Sequence, residues 1–197
     1  MERDLLVLVR GQRGHFRVES GHHGDLWFEL EKLCLQAREI KPFAAELAAK
    51  LLRYEVEVVC GPLVEGAFVA LLVALELGCE FVYAERIANA ERGGLFPVEY
   101  RLPKALKSAV KGKRLAIVND VINAGSAVRG AFADLKANGA EVVVIGALLA
   151  LGESIGKFAA ENGIALELLK KMPNNLWIPE ECPLCAAGEP LEIVGTS

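Results

Sequence analysis

Long hydrophobic runs are scarce in this sequence of 197 residues, although hydrophobic residues make up 53% of it. The longest runs, 67–75 and 142–151, are well short of the roughly 18 to 20 residues that a helix needs to span a bilayer. The first residues, Met1-Glu2-Arg3-Asp4, lack the basic start and the long apolar stretch of a signal peptide. We therefore expect a cytoplasmic protein that makes no contact with a membrane.

A large net charge is also absent. The chain has 22 Lys and Arg against 26 Asp and Glu, so its formal net charge is -4. No overall field draws it to nucleic acid, and any phosphate that it binds must be held locally. Charged residues make up only 24% of the chain, too few for a disordered protein. We expect one domain over 1–197 with small molecules as its partners.

Cysteines are few and odd in number, five in all, and three of them stand in apolar surroundings, which predicts free thiols rather than a disulfide framework. Cys182-Pro183-Leu184-Cys185 has the spacing of half a zinc knuckle, but the sequence offers no matching second pair. A partner subunit could complete it, or the pair could stay reduced in a C-terminal tail over 172–197. His22 and His23 lie on a predicted turn, for which we expect surface or phosphate-contacting roles. No metal ligands are predicted.

Strand and helix patterns alternate along most of the chain. The stretch 16–30 predicts a strand or hairpin with its turn at 20–25, and Pro42 predicts the first residue of a helix that ends near Arg53. This alternation is typical of an α/β fold, a mostly parallel sheet with helices on both faces. The further predicted strands are 56–59, 81–84, 115–118 and 142–149, and the further predicted helices are 4–10, 66–77, 126–138 and 154–162.

One strand, loop and helix start carries the strongest chemical signal, Val118-Asn119-Asp120-Val121-Ile122-Asn123-Ala124-Gly125-Ser126-Ala127. The small residues let a ligand approach the backbone, and the free N–H groups of the helix start suit a phosphate. Asp120, expected at the rim, can accept hydrogen bonds from two adjacent sugar hydroxyls. The alternative is an ordinary helix cap after a turn. The ligand that fits both groups is a phosphorylated ribose.

This segment resembles the 5-phosphoribosyl-1-diphosphate (PRPP) signature of the type I phosphoribosyltransferases, with Asn119 in place of the first of two acidic residues. The resemblance implies that fold, with a long flexible hood or loop hairpin over 85–114. It also implies a PRPP site on one set of residues: Asp120, Val121, Asn123, Ala124, Gly125, Ser126 and Ala127.

Two further stretches resemble the orotate phosphoribosyltransferase branch. Phe16-Arg17-Val18-Glu19-Ser20-Gly21 is similar to its N-terminal motif, which implies base contacts from Phe16, Ser20 and Gly21. Cys60-Gly61-Pro62-Leu63-Val64-Glu65-Gly66 is similar to its pyrophosphate loop, and implies PRPP contacts from Gly61, Pro62, Glu65 and Gly66. An ordinary connection between a strand and a helix is the alternative for this second stretch.

The resembled family places a catalytic Lys on the loop that follows the strand at 81–84, where this sequence has Asn89. Arg86 is the expected basic contact and, with Asp120, a catalytic residue. Arg92, Arg101 and Lys104 are further cations on the same segment. The resemblance implies Mg²⁺ bound through PRPP and a homodimer, and it implies transfer of ribose 5-phosphate to a base such as orotate. A regulatory protein that binds PRPP or a nucleotide without turnover, and an enzyme that uses a purine base, hypoxanthine or xanthine, are the alternatives.

Overall fold

The computed structural model describes residues 5–9, 11–87 and 95–194. Short 3-10 turns at Leu30–Gln36, Leu52–Tyr54, Lys104–Leu106 and Pro179–Glu181 connect its regular elements. The helices are α1 (Leu5–Leu8), α2 (Ala37–Leu51), α3 (Glu65–Leu77), α4 (Lys107–Val110), α5 (Ser126–Ala137), α6 (Ser154–Glu161) and α7 (Pro183–Ala186). The strands are β1 (Gly11–Arg17), β2 (His23–Phe28), β3 (Val58–Pro62), β4 (Glu80–Ile87), β5 (Glu99–Arg101), β6 (Arg114–Ile122), β7 (Glu141–Leu151), β8 (Ala165–Met172), β9 (Leu176–Trp177) and β10 (Glu192–Ile193).

The larger of two sheets among the described residues has the order β5-β4-β3-β6-β7-β8. Neighbouring strands are parallel except at the edge, where β5 runs antiparallel to β4. Helices α2 and α3 cover one face, and α5 and α6 cover the other. Because β6 and β7 are covered on both faces, their side chains are apolar almost without interruption. This confirms the predicted α/β fold.

The parallel pairing of β3 with β6 decides where a ligand can bind. Both strands point the same way, so the turns that follow Pro62 and Ile122 emerge side by side at one edge of the sheet. Each turn leads directly into a helix, α3 in one case and α5 in the other. Ligands of open α/β sheets bind at such an edge, beyond the carboxyl ends of the strands.

A smaller sheet, with the order β10-β1-β2-β9, stands at this edge. The hairpin predicted within 16–30 is present as β1 and β2, but β1 begins earlier, at Gly11. Residues 11–14 are exposed and lack apolar alternation, so the sequence pattern did not reveal them. The segment 172–197 is not a detached tail over its described part, because β9 pairs with β2 and β10 pairs with β1.

Helix α2 begins five residues before Pro42, so the prediction that Pro42 is its first residue was wrong. Proline inside a helix removes one backbone hydrogen bond, but its ring is exposed here and meets no packed neighbour. The buried face of α2 already starts at Ile40, and its packing holds the first turn in place. Leu52, expected on that face, is 64% exposed. No helix in the described ranges has the length and apolar character to cross a bilayer.

The segment 85–114 contains a β-hairpin arm, because β5 pairs with the end of β4. Residues 88–94, including Asn89 and Arg92, lie outside the described residues. The prediction that this segment is a mobile cover stays a prediction.

Candidate active site

A cavity of about 250 Å³ opens between the small sheet and the carboxyl ends of β3 and β6. Most of its wall comes from four places in the sequence: the hairpin, the turn after β3, the end of β4 with β5, and the turn after β6. Glu31 and Leu151 also line it. All four places were singled out by the sequence analysis, and the fold brings them to one site.

The turn between β6 and α5 forms the largest continuous part of the wall, and it supplies all but one of the residues expected from it. Gly125 has a φ of +88°, a conformation that L side chains rarely adopt, and it immediately precedes the first residue of α5. The first N–H groups of this 12-residue helix have no helical acceptor, which makes the turn a suitable phosphate site. The expected residues that line the cavity here are Val121, Asn123, Ala124, Gly125, Ser126 and Ala127.

Arg129, which the sequence analysis missed, stabilises this turn through hydrogen bonds. Its Nε donates to the carbonyl oxygen of Ala124 at 3.4 Å, and its Nη2 donates to that of Ser154 at 3.2 Å. The Ser154 hydroxyl donates to the same Ala124 oxygen at 2.9 Å. Burial lowers the pKa of Arg129, whose guanidinium lies 4.5 Å from the ring centre of Phe158. No local sequence signal marks this contact, because its partners are 25 to 30 residues apart along the chain.

Asn119 and Asp120 occupy different positions from those expected. Asn119 lines the cavity, and its Nδ2 donates to the backbone oxygen of Val121 at 3.0 Å. Asp120 does not line the cavity: it is 4% exposed and does not stand at the rim. The reason is that β6 continues to Ile122, so consecutive side chains still alternate between faces at this point.

Burial raises the pKa of Asp120 to about 7. The Val121 backbone N–H opposes this rise, whereas the negative charges of Glu65 and Glu31 add to it. Glu65 and Glu31 both line the cavity, so a cation that enters there would meet negative charge in its wall. Carboxylate oxygens are the ligands that Mg²⁺ prefers in proteins.

The turn after β3 contributes Glu65 to the cavity wall, but Gly61, Pro62 and Gly66 do not line it. The two glycines are required by packing. A Cβ on Gly61 would lie 2.6 Å from Ala67 Cα and 2.6 Å from Ala70 Cβ. A Cβ on Gly66 would overlap the side-chain oxygen of Asn119. Gly66 therefore lets the two ligand-facing turns approach each other.

We predict that Gly66→Ala displaces Asn119, raising the KM for the ligand of this cavity about 10-fold and lowering stability by about 1 to 3 kcal/mol. Gly156→Ala is the matched control, because a Cβ on this helical glycine meets no atom within 4 Å. The control should raise stability by about 0.5 to 1 kcal/mol. Urea unfolding and substrate titration of both variants measure the difference. Equal behaviour of the two variants would contradict the proposed approach of the turns.

Ser20 and Arg86, both expected at the site, lie in the wall opposite the phosphate turn. Glu19 and Tyr100 lie there too, and the sequence analysis did not assign them. Arg86 Nε donates to Glu19 Oε1 at 2.7 Å, and the Tyr100 hydroxyl donates to the same oxygen at 3.1 Å. Burial, reinforced by the Glu19 charge, raises the pKa of Tyr100, so this hydroxyl remains a donor. Glu19 lies within the quoted N-terminal motif, whereas nothing in the sequence marks Tyr100.

Four other expected residues do not line the cavity. Phe16 is 3% exposed and does not line the cavity, and neither does Gly21. Arg101 and Lys104 do not line it either, since Arg101 is exposed and bound to Glu99 at 3.0 Å. Arg86 is therefore the one lysine or arginine side chain that lines this cavity within the described part of the chain.

Comparisons with known proteins agree with this geometry. A family model described as a phosphoribosyl transferase domain matches residues 29–161. Orotate phosphoribosyltransferase of Caldanaerobacter subterraneus subsp. tengcongensis is 31% identical over 179 residues, covering 91% of this chain and 87% of the relative. The enzyme of that name from Thermotoga maritima is 33% identical over 187 residues, with 93% and 90% covered.

Solved structures show the same fold. Orotate phosphoribosyltransferase from Aeropyrum pernix has a TM-score of 0.61 at 22% identity, over 84% of this chain and 89% of its own. Adenine phosphoribosyltransferase from Thermoanaerobacter pseudethanolicus has a TM-score of 0.64 at 18% identity, over 85% and 98%. The family match includes both turns that lead from a strand into the cavity. The chain belongs to the phosphoribosyltransferase family.

Proposed function

We propose that this protein is an orotate phosphoribosyltransferase, which transfers ribose 5-phosphate from PRPP to orotate and releases pyrophosphate. The observation that carries the proposal is the meeting, in one cavity, of the phosphate turn, Arg86 and the N-terminal hairpin. Relatives that bear this name at 31% and 33% identity support the choice of orotate as the base.

The turn over 123–127 binds the 5-phosphate in this proposal. Its backbone N–H groups and the Ser126 hydroxyl supply donors without a side-chain cation in direct contact. Arg129 keeps the turn in its binding conformation through the Ala124 carbonyl. The phosphate then anchors the sugar, and the reaction happens at the other end of the ribose.

The ribose lies against Asn119 and Asp120. The Asn119 side chain reaches the cavity directly. Asp120 is next to it in the chain, and in this proposal its carboxylate accepts ribose hydroxyls. A pKa of about 7 means that near neutral pH Asp120 is present in both its neutral and its charged form. The carboxylate is the form that accepts two sugar hydroxyls.

Cleavage of the anomeric C–O bond leaves positive charge on the ribose ring and negative charge on pyrophosphate. Arg86 donates to the departing pyrophosphate, exchanging Glu19 for it as a partner, and so stabilises the developing charge. Mg²⁺ would bind through PRPP, in the cavity that Glu65 and Glu31 line. When bound, it would supply positive charge that offsets the charge of the departing pyrophosphate.

The hairpin formed by β4 and β5 excludes water from the reaction. Water competes with the base for the activated ribose, so a cover over this cavity favours transfer over hydrolysis. Tyr100 of β5 already lines the cavity, which places this arm beside the substrates.

An assay with purified protein, PRPP and Mg²⁺ tests the proposal against a panel of orotate, adenine, hypoxanthine, xanthine and guanine. We expect pyrophosphate release and a nucleotide product with orotate only. PRPP binding by calorimetry without release with any base would contradict the proposal and favour a regulatory binding protein. Release with a purine base would support the same transfer reaction but show that the base is a purine and not orotate.

A homodimer is part of the proposal, and α3 supplies its interface. One face of α3 packs on the sheet, but its opposite face carries apolar side chains in the open. Phe68, Leu71 and Leu75 are 47%, 50% and 70% exposed, and Val64 just before the helix is 54% exposed. These positions recur at helical spacing and form one stripe. A second copy of this chain is the proposed occupant, because the same apolar stripe on a two-fold-related copy would cover these exposed side chains.

We predict that Leu71→Glu converts a dimer into a monomer, since it places a charge in the middle of the apolar stripe. Leu52→Glu is the control, because Leu52 is 64% exposed and lies outside α3. Size-exclusion chromatography with light scattering measures both masses. A wild-type protein that is monomeric at micromolar concentration would rule out the interface.

A further inference from the structure

Four potential metal ligands that lie far apart in the sequence converge beside the small sheet: His15, His23, Cys182 and Cys185. Their ligand atoms all lie within 4.8 Å of one another. His15 stands on β1 and His23 on β2, whereas the two cysteines flank the start of the single-turn helix α7. The structure thus supplies the second pair that the Cys-x-x-Cys spacing lacked in the sequence. The sequence analysis expected His23 at the surface or in contact with a phosphate, but this residue is only 5% exposed.

We propose that these residues form a structural zinc site that the chain completes by itself. Zinc in such sites is tetrahedral and takes sulfur and nitrogen ligands. Zn–S bonds of about 2.3 Å and Zn–N bonds of about 2.0 to 2.1 Å put tetrahedral ligand atoms about 3.3 to 3.8 Å apart.

Four separations in the structure lie within this range or about 0.1 Å below it. His15 Nε2 lies 3.2 Å from His23 Nδ1, 3.4 Å from Cys182 Sγ and 3.6 Å from Cys185 Sγ. Cys185 Sγ lies 3.2 Å from His23 Nδ1. All four ligand atoms are therefore close enough together to share one ion.

The outer contact of His15 selects the ring nitrogen that faces this point. Its Nδ1 lies 2.9 Å from the carbonyl oxygen of Glu189, which can only accept, so Nδ1 carries the proton. Nε2 of the neutral ring then has a single lone pair, yet it faces three polar atoms. One lone pair cannot satisfy three neighbours as hydrogen bonds, but it can bind the ion that they share. A ligand histidine held by a backbone carbonyl is a recurrent feature of zinc sites.

The role of the site is structural rather than catalytic. Four protein ligands fill a tetrahedral shell and leave no position for water or substrate. None of the four lines the cavity in the described part of the chain. Three of them are buried, and neither cysteine is bound in a disulfide.

The ion would fasten the C-terminal segment to the hairpin that forms one wall of the cavity. Otherwise that attachment depends on short pairings, in which β9 and β10 each contribute two residues to the small sheet. Ser20 lies between the two ligand histidines along the chain, and Trp27 follows them on β2, and both line the cavity. Zinc binding therefore sets the position of the base-facing wall.

Elemental analysis of the untagged, full-length protein tests the site independently of its enzymatic activity. We expect about one zinc per chain in the wild type. Cys185→Ser is the main variant, because Cys185 is exposed and its replacement buries no new group. Its zinc affinity, measured by chelator competition, should fall by at least about 10-fold, since even outer contacts of a metal site contribute about 10- to 100-fold. Cys79→Ser, which removes a thiol elsewhere, should keep wild-type zinc content and affinity.

A second measurement needs no variant. Removal of zinc from the wild type by a chelator should lower the Tm, and addition of Zn²⁺ alone should restore it, with Cys185→Ser insensitive to both. Any of three results would overturn the proposal: wild-type protein that neither contains nor takes up zinc, a Cys182–Cys185 disulfide, or iron in place of zinc. Failure of the orotate assay would leave this result unaffected.

Discussion

Replacing Arg86 by alanine is expected to reduce kcat/KM for PRPP by about 100- to 1000-fold, the usual cost of losing one donor to a developing negative charge. Arg86 is the one lysine or arginine that lines the cavity among the described residues, and nothing else in its wall is positioned to replace that charge. Its side chain is 30% exposed, so its removal leaves no large void. Steady-state kinetics with orotate measure the effect, and the Tm should fall slightly because Glu19 loses its ion-pair partner.

Two controls separate catalysis from structure. Arg101→Ala removes an exposed arginine on the neighbouring strand and should leave kcat/KM within about twofold, as is usual for changes away from a site. The Arg86→Ala, Glu19→Gln double variant removes both charges of the pair. If Arg86 only balanced Glu19, the double variant would regain activity. We expect the double variant to regain stability but not activity. Recovery of activity would refute the proposed role of Arg86.

Replacing Asp120 by asparagine is expected to weaken PRPP binding by about 10- to 100-fold, because two charge-assisted hydrogen bonds to the ribose become weaker. In the wild type, kcat/KM for PRPP should rise with pH through about 7, the value to which burial raises the pKa of Asp120. This part of the pH profile should vanish in Asp120→Asn. Its persistence would show that another group, such as PRPP itself, is responsible.

Although Asp120→Asn should weaken PRPP binding, we expect it to increase the stability of the folded protein. The native state holds the Asp120 proton more tightly than the unfolded chain does, so stability falls as pH rises from about 4 to about 7. Asparagine cannot lose a proton, so the variant should be more stable than the wild type at pH 8, by at most about 4 kcal/mol, and similar at pH 4. Urea unfolding at both values measures this difference. Glu153→Gln, which removes a carboxylate that is 70% exposed, should show no such pH dependence.

The sequence was most informative where local pattern and buried position coincide. The apolar runs of β6 and β7 predicted central parallel strands, and the small residues after Ile122 predicted the phosphate turn. Both depend on neighbours within a few residues, so their physical causes are visible in the chain itself. The resemblance of 118–127 to a known signature added the ligand, which the residue pattern alone limited to a phosphorylated ribose.

Contacts between distant segments could not be predicted. Arg129 acts through Ser154, and Glu19 and Tyr100 meet Arg86 only after β4, β5 and the hairpin assemble. Pro42 misled the prediction of α2 because the packing of Ile40 extends that helix in front of the proline. Asp120 is buried because β6 extends four residues beyond the end of its predicted strand 115–118.

The pairing of β10 with β1 has a consequence for biosynthesis. Phe16 and Arg17 leave the ribosome about 175 residues before their partners Glu192 and Ile193. At about 5 to 20 residues per second, the nascent chain waits roughly 10 to 35 seconds for this strand. The large sheet can form during that interval, so the substrate-binding wall is completed last, and a stalled or prematurely ended polypeptide has no finished catalytic centre.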